Sequence, residues 1–266
     1  MKPTRLLAAA VALAAALPAA AEDAMAVLKK VEDRMYFPQD NGLKDLQAMM
    51  TIEQEGGPQM PGMGFKLAWK EPDQRVCRLQ LPDELSNSPQ GGMIAEMMEQ
   101  QVGGQMNAMV AIIVPVRYAG RQDEYDFTAA PDGALTKITG TRKADAKASG
   151  SPEAMTLWID AKYAPVKMAS TAHGKESEMA DLKYEEKGGK LVLKSAAMAD
   201  KEGGPGMKLS FEYAQTGPVW LVSTVKMDSA QGVMTMKVGG AAVNKGVDDA
   251  VFAPPKKKAA PAGLDR

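Results

Sequence analysis

The sequence predicts a mainly β protein: one large antiparallel sheet that curls around its own core, with a helix ahead of it and a helical insert within it. Three observations carry this. Apolar and polar residues alternate with period two through most of the 266 residues, as in Met207, Leu209, Phe211 and Tyr213 against Lys208, Ser210 and Glu212. Connections such as Lys187-Gly188-Gly189 and Thr216-Gly217-Pro218 are short enough for hairpins. The period lengthens to that of a helix in only two places, residues 24–36 and 91–114.

The first element is not expected in the mature chain. Lys2 and Arg5 precede the apolar run Leu6 to Leu17, Pro18 ends it, and Ala19-Ala20-Ala21 supplies the small residues that a signal peptidase reads, so cleavage falls before Glu22. The run is shorter than the ~20 apolar residues needed to cross a bilayer, and no comparable stretch follows. Residues 1–21 are therefore read as a signal peptide that exports a soluble protein, most naturally to a Gram-negative periplasm. The single cysteine, Cys77, lies far from the cleavage site, so no lipid anchor is expected and membrane contact would be transient.

Residues 24–36 place Met25, Leu28, Val31, Arg34 and Met35 near one helical face, behind Glu22 and Asp23 at the end that favours negative charge. Pro38 ends the helix. Strands are expected at Leu43–Glu53, Met63–Lys70 and Arg75–Leu81. After the insert they resume at Val116–Ala119, Glu124–Thr128, Ala134–Arg142, Ala154–Asp160, Val166–Ala172, Ser177–Glu185, Lys190–Ala199, Met207–Ala214, Val219–Asp228 and Gly232–Val238. The insert is Met-rich. Met93, Ile94, Met97 and Met98 share a helical face, Met106 and Met109 lie three apart, and Gly103-Gly104 interrupts the pattern before Pro115 stops it. From Ala253 the chain has Pro, Ala and charge without periodicity, so 22–252 is expected to be one domain and 253–266 a disordered tail.

The composition excludes much chemistry. There is one histidine, His173, which leaves no imidazole cluster for a zinc site, and no G-x-S-x-G elbow or phosphate-cradling glycine loop occurs. Asp248-Asp249 and Glu185-Glu186 are carboxylate pairs of the kind that solvate any surface. No enzymatic activity, cofactor or metal is expected. The leader holds Lys2 and Arg5 and no acid, leaving 30 basic against 33 acidic residues, a balance without the electrostatic footprint of a nucleic-acid binder. Cys77 shares a strand face with Leu79 and Leu81 and reads as a buried structural thiol. Methionine is the anomaly, with 20 in the chain. Thioethers can bind Cu(I), with Met60, Met63, Met234 and Met236 as candidates, but Met234 and Met236 are explained as one strand face. An unbranched, polarizable side chain also suits a surface that re-packs around apolar partners of variable shape.

Certain segments resemble the LolA-like family of periplasmic lipoprotein carriers. They are Leu157-Trp158-Ile159-Asp160 with Tyr163-Ala164-Pro165-Val166, then Phe211-Glu212-Tyr213 before Val219-Trp220-Leu221, and last Val243-Asn244 with Val247-Asp248-Asp249 and Phe252. The resemblance implies an unclosed half-barrel whose concave apolar face, covered by an N-terminal helix and a helical lid, accepts acyl chains of a lipoprotein or lipid. On this reading the chain moves such a cargo between membranes, with inner- or outer-membrane proteins as candidate donors and acceptors. Lid and cleft would be built from Met93, Ile94, Met97, Met98, Met106, Met109, Leu28 and Met35. The carrier's lid is held by an arginine for which Arg34 is the nearest candidate, its other reading being a snorkelling surface residue. An alternative is an envelope protein-interaction or stress-sensor module on the same fold.

Overall fold

The computed structural model describes residues 23–56, 63–86, 88, 91, 93, 97, 109–146, 152–172, 174–198 and 206–253. The expected leader, the tail beyond Ala253, and Ile94, Met98, Met106 and His173 lie outside the described residues.

Helix α1 (Ala24–Arg34) begins where the Asp23 side chain accepts the N–H of Met25, and it buries Val27, Leu28, Val31 and Glu32. It stops short of the expected Tyr36. Met35 is already extended and bridges Leu191, and Tyr36 N–H donates to the Leu191 carbonyl at 2.8 Å. A single 3-10 turn, Pro38–Asn41, leads into the sheet.

Twelve strands follow: β1 (Asp45–Gln54), β2 (Gly64–Lys70), β3 (Gln74–Gln80), β4 (Tyr125–Asp132), β5 (Leu135–Arg142), β6 (Ala154–Ile159), β7 (Pro165–Ala172), β8 (Lys175–Lys187), β9 (Lys190–Met198), β10 (Met207–Thr216), β11 (Val219–Ser229) and β12 (Gly232–Val243). All pair antiparallel in one sheet of order β3-β2-β1-β12-β11-β10-β9-β8-β7-β6-β5-β4. From β4 to β12 the order is a simple meander, as short hairpin turns require. The long-range step is β12 beside β1, secured where Asn244 Oδ1 accepts from Lys44 and Asp45 N–H while Asp45 Oδ1 accepts from Lys245 and Gly246 N–H.

The edges β3 and β4 do not meet, so the sheet is an unclosed barrel. Its curl is visible in its core. Leu46, Leu67, Cys77, Leu182, Phe211, Val225 and Met236, from seven strands between β3 and β8, belong to one buried cluster. Register shifts between β1 and β12 and between β10 and β11 add the local twist that bends a sheet. In β5, Gly140 is forced by contact: a Cβ there would lie 2.6 Å from the ring of its cross-strand partner Phe127.

β3 and β4 are consecutive strands yet occupy opposite edges, so residues 81–124 connect the two edges of the sheet. Residues 109–113 of this connection are helical, and Val110, Ile113 and Val114 are buried in the main core. The strand expected at Val116–Ala119 does not form. The N–H groups of Tyr118 and Ala119 are taken by the Glu32 carboxylate, at 2.6 and 2.8 Å, and not by a strand neighbour. A second, smaller cluster joins Val27, Leu28 and Val31 of α1 to Ile138, Leu157 and Ile159 of β5 and β6. No helix among the described residues is long and apolar enough to cross a membrane.

Candidate functional site

The α1 helix, the stem of the insert and the inner face of the sheet enclose a partly open cavity of about 240 Å³. Leu28 and Val31 line it from α1, Met35 and Phe37 from the extended residues after the helix, and Pro38 from the 3-10 turn. Ile112, Ile113 and Pro115 line it from the insert, and Leu157, Met168, Leu182, Leu193 and Phe211 from β6–β10. Alternation places these residues here: each sheet member sits on the inward face of its strand, and α1 presents the stripe at three- and four-residue spacing. A cavity of ~150 Å³ lined by aliphatic side chains stays dry and takes up benzene. This one is larger and mostly apolar, so it suits a flexible hydrocarbon.

Polar groups reach the cavity at few points. Glu32 is 8% exposed, and besides its two backbone N–H bonds it has the Arg117 guanidinium 3.8 Å away. Arg117 also pairs with Asp40 and lies over the Phe37 ring, 4.2 Å from its centre, while Gln39 Nε2 donates to the Pro115 carbonyl at 3.2 Å. The first helix, its 3-10 turn and the end of the insert are thus joined into one roof. Four of the six tyrosines, Tyr36, Tyr118, Tyr184 and Tyr213, also line the cavity. The Tyr36 hydroxyl accepts from Trp220 N–H at 2.7 Å, and the Tyr213 hydroxyl donates to the Leu193 carbonyl at 2.9 Å. Burial pushes the phenols of Tyr184 and Tyr213 well above their ordinary range, so both stay protonated.

The residues singled out from sequence are distributed unevenly. Leu28 and Met35 line the cavity. Met109 packs against the main core at the helical stem. Met93 and Met97 are 69% and 50% exposed. Arg34 donates to the Lys162 carbonyl in the β6–β7 turn, where Lys30 also meets the Tyr163 ring and hydroxyl. Sequence reasoning passed over the sheet side of the cavity, including Tyr184, Leu193, Phe211, Tyr213 and Trp220. Their signal was the alternation itself, which marks an inward face without showing which stretch of that face is left uncovered. No group of three or more His, Cys, Asp or Glu placed to hold a metal ion occurs among the described residues.

No family model matches the chain, and no curated protein does. Solved structures are similar in shape. One is a domain assigned to outer membrane lipoprotein sorting, from Vibrio parahaemolyticus, with 13% identity over 86% of this chain and 95% of that one and a TM-score of 0.41. Another is a DUF1329 family protein from Desulfovibrio piger, with 13% identity over 87% and 97% and a TM-score of 0.36. The complex of Pseudomonas aeruginosa MucA and MucB gives 11% identity over 86% and 96% and a TM-score of 0.21.

Proposed function

We propose that this protein, exported to the periplasm after loss of residues 1–21, binds the acyl chains of a lipoprotein or lipid in the cavity beneath α1 and carries them between membranes. The observation that carries this is the cavity itself: a mostly apolar space roofed by segments that contact the sheet without being part of it. Each CH₂ moved into it from water gains ~0.8 kcal/mol, so ten carbons gain about 8 kcal/mol before ordering costs. Neither a nucleophile nor a metal is needed for that task.

Native mass spectrometry of the protein isolated from its own cell envelope is expected to show a co-purifying lipid. A stoichiometric protein partner and no lipid would overturn this reading in favour of an interaction or sensor module.

The Met-rich segment is proposed to close over the cleft as a movable lid, with its exposed Met93 and Met97 covering bound chain. Met97→Glu is then expected to weaken a fluorescent fatty-acid probe at least tenfold while changing stability by no more than about 0.5 kcal/mol, as at other surface positions. A loss of several kcal/mol with unchanged probe affinity would identify a fixed plug instead.

A further inference from the structure

The cavity has two chemically different ends. Along β8, Met179, Leu182 and Tyr184 all line it, and about 16 Å of strand separates Met179 from Tyr184 at the usual ~3.3 Å per residue. At the Met179 end the neighbours across the sheet are methionines: Met168 pairs with Met179, Met179 with Met198, and Met198 with Met207, a row of four on adjacent strands. At the other end Tyr184 stands opposite Leu193, whose carbonyl takes the Tyr213 hydroxyl, and Tyr36 and Trp220 complete the wall.

The hydroxyls at this end are not equivalent. Tyr213 has its proton engaged by Leu193. Tyr36 accepts from Trp220 N–H, which leaves its proton unspent, but Tyr36 is only 6% exposed and presents little of itself to a ligand. Tyr118 lies on the roof, within electrostatic reach of Arg121, Tyr125 and Glu32. Tyr184 is half-buried and lines the cavity, and its hydroxyl makes no hydrogen bond among the described residues. Burial raises this phenol, so it keeps its proton, and that proton is free to donate into the cavity. The Asp160 carboxylate is within electrostatic reach but already accepts the N–H groups of Lys162 and Ala164, so an acceptor for that proton would come with the ligand.

We propose that Tyr184 donates a hydrogen bond to the carbonyl oxygen of a bound acyl ester or fatty acid and so fixes the chain in one direction, its methyl end toward Met168 and Met179. The inference rests on acyl binding in this cavity and adds to it a ligand class and an orientation. The thioethers of Met168 and Met179 donate no hydrogen bond, and being unbranched they tolerate chains of differing length and bend. Tyr184 is thus a specificity-determining residue: it distinguishes an acyl chain from a plain hydrocarbon of equal length.

The test compares two ligands on three proteins. Hexadecanoic acid methyl ester and hexadecane displace a bound fluorescent fatty-acid probe from wild type, Tyr184→Phe and Tyr213→Phe. Wild type is expected to bind both ligands and to prefer the ester by about tenfold, which is about 1.4 kcal/mol. Tyr184→Phe is expected to lose that preference through weaker ester binding with hexadecane unchanged, whereas Tyr213→Phe keeps it. An undiminished ester preference in Tyr184→Phe, or none in wild type, overturns the role of Tyr184 and leaves acyl binding standing. Failure of wild type to bind either ligand overturns both. Orientation is read separately from the methyl resonances of Met168 and Met179. A stearic acid spin-labelled near its methyl end should broaden them more than one labelled near its carboxyl, and the reverse order would overturn the direction.

Discussion

Glu32, on the first helix, accepts the backbone N–H of Tyr118 at 2.6 Å, across 86 residues of sequence. The same carboxylate oxygen takes Ala119 N–H at 2.8 Å, so one buried side chain replaces the two ladder bonds that a strand at Val116–Ala119 would have made. The roof of the cavity is held by this contact together with the apolar packing of Val27, Leu28 and Val31, because a buried N–H without an acceptor is costly.

Replacing Glu32 by Ala is expected to lower unfolding free energy by about 2–3 kcal/mol, since hydrogen bonds to a charged group contribute ~1.5–3 kcal/mol and two donors lose their acceptor. Glu32→Gln keeps a carbonyl oxygen in place and should cost about 1 kcal/mol. Urea unfolding at neutral pH measures both. Equal losses for the two variants would show that the charge, and not the acceptor, holds the roof.

Gly140 is expected to tolerate no side chain. Its Cβ would lie 2.6 Å from the Phe127 ring and 3.1 Å from Met155, and the ring is itself packed at 5.8 Å from Tyr125. Gly140→Ala should destabilise by about 1–3 kcal/mol, the usual cost of overpacking a core. Gly239, in β12, has nothing within 4 Å of its Cβ position and serves as the control. Gly239→Ala should be neutral or slightly stabilising, because it restricts the unfolded chain. Thermal unfolding of the pair decides whether contact is the cause.

Burial pushes the Cys77 thiol up to about 11 from its ordinary 9.0. The unfolded chain therefore releases this proton first, and the thiol's contribution is intact below about pH 9 and is lost as pH rises toward 11, by up to ~1.4 kcal/mol per pH unit. Tyr184 and Tyr213, raised for the same reason, act in the same direction above the ordinary phenol range. Urea midpoints at pH 8 and pH 10.5 should fall further for wild type than for Cys77→Ala, in which the thiol's share is gone. Identical falls would place the titrating thiol in water.

By itself the sequence determined the local elements. Period-two alternation marked all twelve strands to within a few residues, because which face of a strand is apolar is written into its own consecutive side chains. The amphipathic pattern marked α1 equally well, overrunning it only at Met35 and Tyr36, where pairing with Leu191 outcompeted the last turn. Tertiary structure decided everything that depends on distant partners. Residues 116–119 carry a strand-like pattern, but the acceptor for their N–H groups is a carboxylate on α1, which no local window contains. The bond from Arg34 to the Lys162 carbonyl in the β6–β7 turn joins residues 128 apart, which no local pattern shows. The cavity is the clearest case. Tyr36, Tyr184, Tyr213 and Trp220 each look like ordinary core residues in sequence, and only the curl of the sheet and the placing of α1 and residues 111–118 against it leave a cavity between them.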